Sequence, residues 1–221
     1  MKMLDNFRSN NVNAKNKRIK ALHSGILQIA NFVALAAAMC ACSQSANVSE
    51  KPVSPDVMKR EAILRGEYLV NTSACHDCHT PKVMTPQGPA LDTTRLLSGH
   101  PASEGIASIP MQQDWILFSQ GLTAAVGPWG VSFSANLTPD DATGTGRWTY
   151  EQFETAIRKG KSKGLERARD LLPPMPWQMY QQMTDQDLKD IFAYLQSIRP
   201  VANAVPAPIA PQDIVAVSLK N

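Results

Sequence analysis

The chain has 221 residues, enough for one domain with targeting and tail segments and cramped for two. Its formal charge of +3 arises in residues 1–41, where six Lys/Arg face one acid, Asp5; removing that net +5 leaves −2 for the remainder. Nucleic-acid binding therefore has no compositional support in the part of the chain that folds.

Residues 1–41 read as a signal peptide. A basic region ends at Lys20, and an apolar stretch from about Gly25 to Ala41 is interrupted by Gln28 and Asn31, short for a membrane span. It closes on Met39-Cys40-Ala41-Cys42-Ser43. A small residue directly before a cysteine resembles the bacterial lipobox, and Cys42, preceded by Ala41, fits it better than Cys40. Cys42 is thus the expected site of lipid attachment, against two alternatives: ordinary cleavage nearby, or an uncleaved anchor. Residues 42–55 are small, polar and Pro-containing, as a flexible tether would be.

The folded domain is expected over 56–200. Val57 to about Ala74 reads as a helix, with Ile63, Gly66 and Val70 on one face, Leu64 and Tyr68 on an adjoining one, running straight into Cys75. Cys75-His76-Asp77-Cys78-His79 then matches C-x-x-C-H, the haem attachment sequence. Two thiols three positions apart on a helical turn can each add to one haem vinyl group, and the adjacent His79 then lies under the iron as fifth ligand. A zinc site would want a second cysteine pair, and none remains. A thioredoxin-like dithiol would want a βαβ context. One covalent haem c is therefore expected, with His76 a solvent-facing spacer.

Between Thr80 and Arg147 helical periodicity is weak, although Trp129 to Ala135 alternates with period two and Trp115 to Phe118 is bulky and apolar, so a small hairpin is expected at most. Thr149-Tyr-Glu-Gln152 is a capping box opening a helix that stops at Gly160. Thr184-Asp-Gln-Asp187 repeats the device before Leu188, Ile191, Phe192 and Leu195, in a helix ending before Pro200. Residues 201–221 form a Pro- and Ala-rich tail expected to run extended.

Six side chains compete for the sixth iron position: Met84, Met111, Met175, Met179, Met183 and His100. Met175 is favoured, because Leu172-Pro-Pro-Met-Pro-Trp177 is a stiff loop that presents a thioether without sampling many conformations. Met179 and Met183 follow at helical spacing and suit packing. His100, in a Ser-Gly-His-Pro turn, is expected to be exposed.

The segments Ser134-Ala-Asn-Leu-Thr-Pro-Asp140, Thr143-Gly-Thr-Gly-Arg-Trp148, Leu172 to Trp177 and Thr184 to Leu188, with Arg65-Gly-Glu-Tyr-Leu-Val70 before the haem motif, resemble one family. It is that of the cytochrome c modules of bacterial alcohol and aldehyde dehydrogenase cytochrome subunits, and related single-haem class I cytochromes c. The resemblance covers roughly residues 60–205. It implies that Met175 is the distal iron ligand and that Asn136, Thr138 and Trp148 lie near the haem. It also implies an all-α cytochrome c fold with an enlarged irregular stretch between the haem motif and the distal loop. In that fold the first helix crosses the last, here through Gly66 and Tyr68 against Phe192, Tyr194 and Leu195.

The expected function is electron transfer by a periplasmic, lipid-anchored cytochrome. It would carry single electrons between a dehydrogenase or respiratory complex and a terminal oxidase. One motif in the chain argues against a multi-haem relay within it. The rivals are a peroxidase-like haem enzyme and a haem gas sensor, both needing a displaceable sixth ligand. Arg158, Lys159, Lys161, Lys163, Arg167 and Arg169 form a basic cluster: a solvated loop on the plainer reading, a docking collar for an acidic partner on the other.

Overall fold

The computed structural model describes residues 54–105 and 115–214, so the expected signal peptide, Cys42 and Met111 lie outside the described residues. Helix α1 spans Pro55–Thr72. Its start is dictated locally: the Ser54 hydroxyl accepts from the Val57 amide at 3.3 Å, and Pro55 and Asp56 occupy the first turn. The expected unbroken run into Cys75 is corrected. Ala74 adopts φ 59, a left-handed conformation that ends the i→i−4 ladder, and a separate five-residue helix α2, Cys75–His79, follows.

Two small antiparallel sheets come next, so the chain is helix-rich rather than purely helical. Strands β1, Lys82–Thr85, and β2, Gly88–Leu91, form a hairpin. Strands β3, Leu117–Phe118, β4, Ala124–Gly127, and β5, Gly130–Phe133, form a second sheet in that order. The second sheet includes residues flagged by their period-two pattern. The first was missed, because Pro86, Gly88 and Pro89 hide any alternation.

Helix α3 is Tyr150–Lys159 and helix α5 is Asp185–Ser197, with a single helical turn α4, Trp177–Tyr180, between them. Both expected capping boxes form. Thr149 and Gln152 exchange bonds of 3.3 and 3.0 Å, and Thr184 and Asp187 exchange two of 3.1 Å. Gly160 stops α3 at φ 63.

Helices α1 and α5 cross where Gly66 packs against the Asp190 backbone and the Tyr194 Cβ. Arg65 closes the crossing by donating to Asp190 at 2.7 Å and to Asp187. The expected aromatic contacts need correction. Tyr68 is 65% exposed, and Phe192 turns away to stack on Phe153 with ring centroids 5.4 Å apart. The core gathers Val70, Leu97, Phe153, Leu188, Ile191, Tyr194 and Leu195. Past Pro200 the chain runs extended and is tied down: Ile209 bridges to Val131, Asn203 donates to the Ser98 and His100 carbonyls, and Ile214 is buried. Among the described residues no helix is long and apolar enough to cross a membrane.

Candidate functional site

Cys75 and Cys78 are free thiols on α2, each half-buried. Burial pushes the Cys75 thiol up to about 11, and burial also raises Cys78, so both sulfurs face a poorly hydrated environment. Among the described residues no group of three His, Cys, Asp or Glu could hold a metal ion by itself.

His79 closes the helix, and its Nδ1 lies 2.8 Å from the Ala135 carbonyl. A carbonyl only accepts, so Nδ1 carries the proton and Nε2 is left with its lone pair. Nε2 has no partner among the described residues. Every buried side-chain nitrogen or oxygen there is partnered, so Nε2 opens onto accessible space. Burial lowers the His79 pKa, which keeps the ring neutral and its lone pair available. This donor set suits haem c: two unpaired thiols and one oriented imidazole on a single short helix.

Three further contacts hold α2. The Lys82 ammonium donates to the carbonyls of His76, Asp77 and Thr80 at 3.1, 2.9 and 2.6 Å, capping the negative end of the helix. The Gly99 amide donates to the His79 carbonyl at 2.8 Å. Gly99, at φ 78, also lies flush on residues 134–135, where a Cβ would sit 2.6 Å from the Ala135 carbonyl carbon. Thr80, fully buried, accepts from the Leu97 amide at 2.9 Å and pairs with His76 Nδ1 at 2.8 Å. His76 is thus 8% exposed and not the solvent-facing spacer expected, because the turn after α2 folds back over it.

Asn136 and Thr138 are buried, and their polar atoms are used within the chain. Asn136 Oδ1 accepts from the Thr138 amide and hydroxyl, and its amide donates to the Val201 carbonyl at 2.8 Å. Together they fix the loop that carries Ala135. Trp148, half-buried, packs against the core.

The competing sixth-ligand candidates sort by environment. His100 is 2% exposed, not the exposed turn residue expected, because it is folded under Phe133. Both its ring nitrogens have partners, Thr123 Oγ1 and the Glu104 carbonyl. Met84 and Met179 are 68% and 67% exposed, and Met183 packs against the core. Met175 is half-buried. Its loop is tied at both ends to segments distant in sequence. After it, Tyr180 donates its hydroxyl to the Ser73 carbonyl at 2.7 Å, and burial and the neighbouring Cys75 and Cys78 raise its pKa. Before it, Ser132 of β5 donates to the Pro173 carbonyl at 2.6 Å.

The basic cluster is half neutralised. Arg158 pairs with Glu154 and Asp185, Lys159 with Glu166, and Lys161 with Asp170. Lys163, Arg167 and Arg169 are the members without an ion pair among the described residues. Ala135, Ser132, Tyr180 and Lys82 escaped the sequence reading. Only Lys82 carried a usable signal, a cation just past a helix C-terminus.

The cytochrome c family model matches residues 63–199. Curated relatives include the gluconate 2-dehydrogenase cytochrome c subunit of Pantoea cypripedii, 32% identical over 143 residues, covering 64% of this chain and 24% of that protein. The fructose dehydrogenase cytochrome subunit of Gluconobacter japonicus is 30% identical over 159 residues, covering 70% of this chain and 26% of that protein. A nicotinate dehydrogenase subunit from Pseudomonas putida is 40% identical over 80 residues, covering 36% of this chain and 6% of that protein. The chain thus spans about a quarter or less of the length of these relatives.

Proposed function

The chain belongs to the cytochrome c family, which implies covalent haem c and electron transfer, and on that premise we propose a single-haem electron carrier serving a dehydrogenase. Cys75 and Cys78 would hold the haem, and His79 and Met175 would ligate its iron. The observation that carries this reading is the His79 Nδ1 bond to the Ala135 carbonyl, which leaves the Nε2 lone pair free to bind a metal. Haem c, when bound, supplies a one-electron couple whose potential is raised by His/Met ligation.

The chain's own residues do the rest. Cys75 and Cys78 retain the group in a compartment where free haem would be lost. His79, neutral and oriented, donates its lone pair. Met175 would supply the second iron ligand, leaving no place for a substrate, which suits electron transfer rather than catalysis. Asn136 and Thr138 would serve the haem site by holding Ala135 in register, and Trp148 would pack nearby. The cytochrome subunits among the relatives support a dehydrogenase partner; a dehydrogenase or respiratory complex as donor and a terminal oxidase as acceptor complete the proposed route. Export to the periplasm and a lipid anchor at Cys42 complete the proposal, resting on the leader's composition.

The test is a pyridine haemochrome count with ligand variants. One covalent haem per chain is expected, lost in Cys75→Ala/Cys78→Ala. Met175→Ala should keep the haem while binding added imidazole or carbon monoxide and losing potential. A count near two, or a Met175→Ala spectrum like wild type, refutes the assignment and reopens the enzyme and sensor readings. Cys42→Ser should release the protein from membranes; a native protein that is already soluble overturns the anchor.

A further inference from the structure

The loop that carries Met175 is poor in donors of its own. Pro173, Pro174 and Pro176 have no N–H, and the Met175 amide reaches only the Leu172 carbonyl, at 3.4 Å. Such a loop is stiff within itself, yet its placement against the rest of the protein depends on donors arriving from outside. One arrives two residues before Met175. Ser132 on β5, 8% exposed, donates its hydroxyl to the Pro173 carbonyl at 2.6 Å. A serine has one hydroxyl proton, and the alternative acceptor, the Ala125 carbonyl, is at 3.4 Å, so the shorter bond holds it. The Trp129 indole donates to Ser132 Oγ at 3.3 Å, aligning the hydroxyl for that task.

Ser132 stands three residues before Ala135, whose carbonyl orients His79. The backbone between them is pinned. The Ser134 amide donates to the Thr123 carbonyl at 2.9 Å, and the His100 amide donates to the Ser134 carbonyl at 2.9 Å. One short, fixed piece of chain therefore touches both halves of the candidate iron site.

Resting on the reading of Met175 as an iron ligand, we propose that Ser132 is a positioning residue for it. The exit of β5 acts as a calliper: Ala135 sets the imidazole, and Ser132 sets the depth of the methionine loop. The hydroxyl touches neither ligand and acts wholly through the Pro173 carbonyl. Removing it leaves the Pro173 carbonyl without this donor, and the loop gains freedom to let Met175 leave the iron.

The experiment compares holoprotein carrying Ser132→Ala, Trp129→Phe and Met175→Ala with wild type. Imidazole affinity and the reduction potential are measured well below the thermal transition. Ser132→Ala should retain covalent haem and bind imidazole up to roughly tenfold more tightly than wild type, as expected for loss of one part-buried hydrogen bond. Its potential should fall toward that of Met175→Ala, with Trp129→Phe shifted less in the same direction. Should Ser132→Ala melt earlier but match wild type in imidazole affinity and potential, while Met175→Ala binds imidazole strongly, Ser132 is merely structural and the inference is overturned. Should Met175→Ala itself match wild type, the ligand assignment fails and this inference falls with it.

Discussion

Gly66→Ala probes the crossing on which the haem motif's helix depends. A Cβ at position 66 would sit 2.6 Å from the Asp190 carbonyl carbon and 2.8 Å from the Tyr194 Cβ. Carbon atoms pack best at about 3.5–4.0 Å, and the Asp190 carbonyl oxygen would lie nearer still, so α1 and α5 must part by at least about 0.7 Å, a gap that forfeits about a quarter to a half of each dispersion contact. Val70, Ile191 and Leu195 lie in the core beside this crossing, none more than 6% exposed. Full burial of each contributes about 1.5–3 kcal/mol, so the parting costs about 1–4 kcal/mol. Alanine's better helix propensity returns up to ~1 kcal/mol, leaving a net loss of about 2 kcal/mol. Urea denaturation followed by circular dichroism measures this as a lowered midpoint at unchanged slope. A loss below about 0.5 kcal/mol, the ordinary range for surface substitutions, would show that the helices do not cross in close contact at Gly66.

Two further outcomes are expected. The Arg65 guanidinium beside Asp187 holds that carboxyl below its ordinary value. Below an ordinary pKa of about 3.9 the unfolded chain then takes up a proton that the folded chain still refuses. Its contribution is therefore complete above that pH and is lost as pH falls through the lower folded value. Asp187→Asn should flatten this acid-side loss in denaturation series between about pH 5 and pH 2; an unchanged acid limb would refute the pairing. Lys82→Met, by uncapping three carbonyls of the α2 turn, should cost about 1–2 kcal/mol, since hydrogen bonds to charged groups are among the stronger ones. Lys82→Arg should recover part of it, and a Met variant as stable as wild type in urea would refute the capping role.

Local chemistry was legible without a structure. The C-x-x-C-H spacing, the two capping boxes and the Gly160 stop each depend on residues within a turn of one another. So does the stiffness of Leu172-Pro-Pro-Met-Pro-Trp177. Side chains three or four positions apart meet whatever the rest of the chain does. The crossing at Gly66 was expected through the family resemblance rather than from the residues alone. Its partners were misjudged: helix phase places Phe192 beside Phe153, and Tyr68 faces water. The left-handed Ala74 has no composition cue, since alanine belongs in helices and only the demands of the neighbouring packing force it out of one. His76 and His100 looked like surface residues, because burial of a polar ring depends on a partner distant in sequence or on the turn that covers it. The decisive contacts at the candidate site are of this kind. Ala135 reaches His79 through a carbonyl that any residue carries, across 56 positions. Ser132 reaches Pro173 across 41, and Tyr180 reaches Ser73 across 107. A backbone acceptor leaves no trace in the identity of its residue. Which side chains the chain itself offers as ligands is therefore written in sequence, while what orients them is decided only when distant segments are packed together.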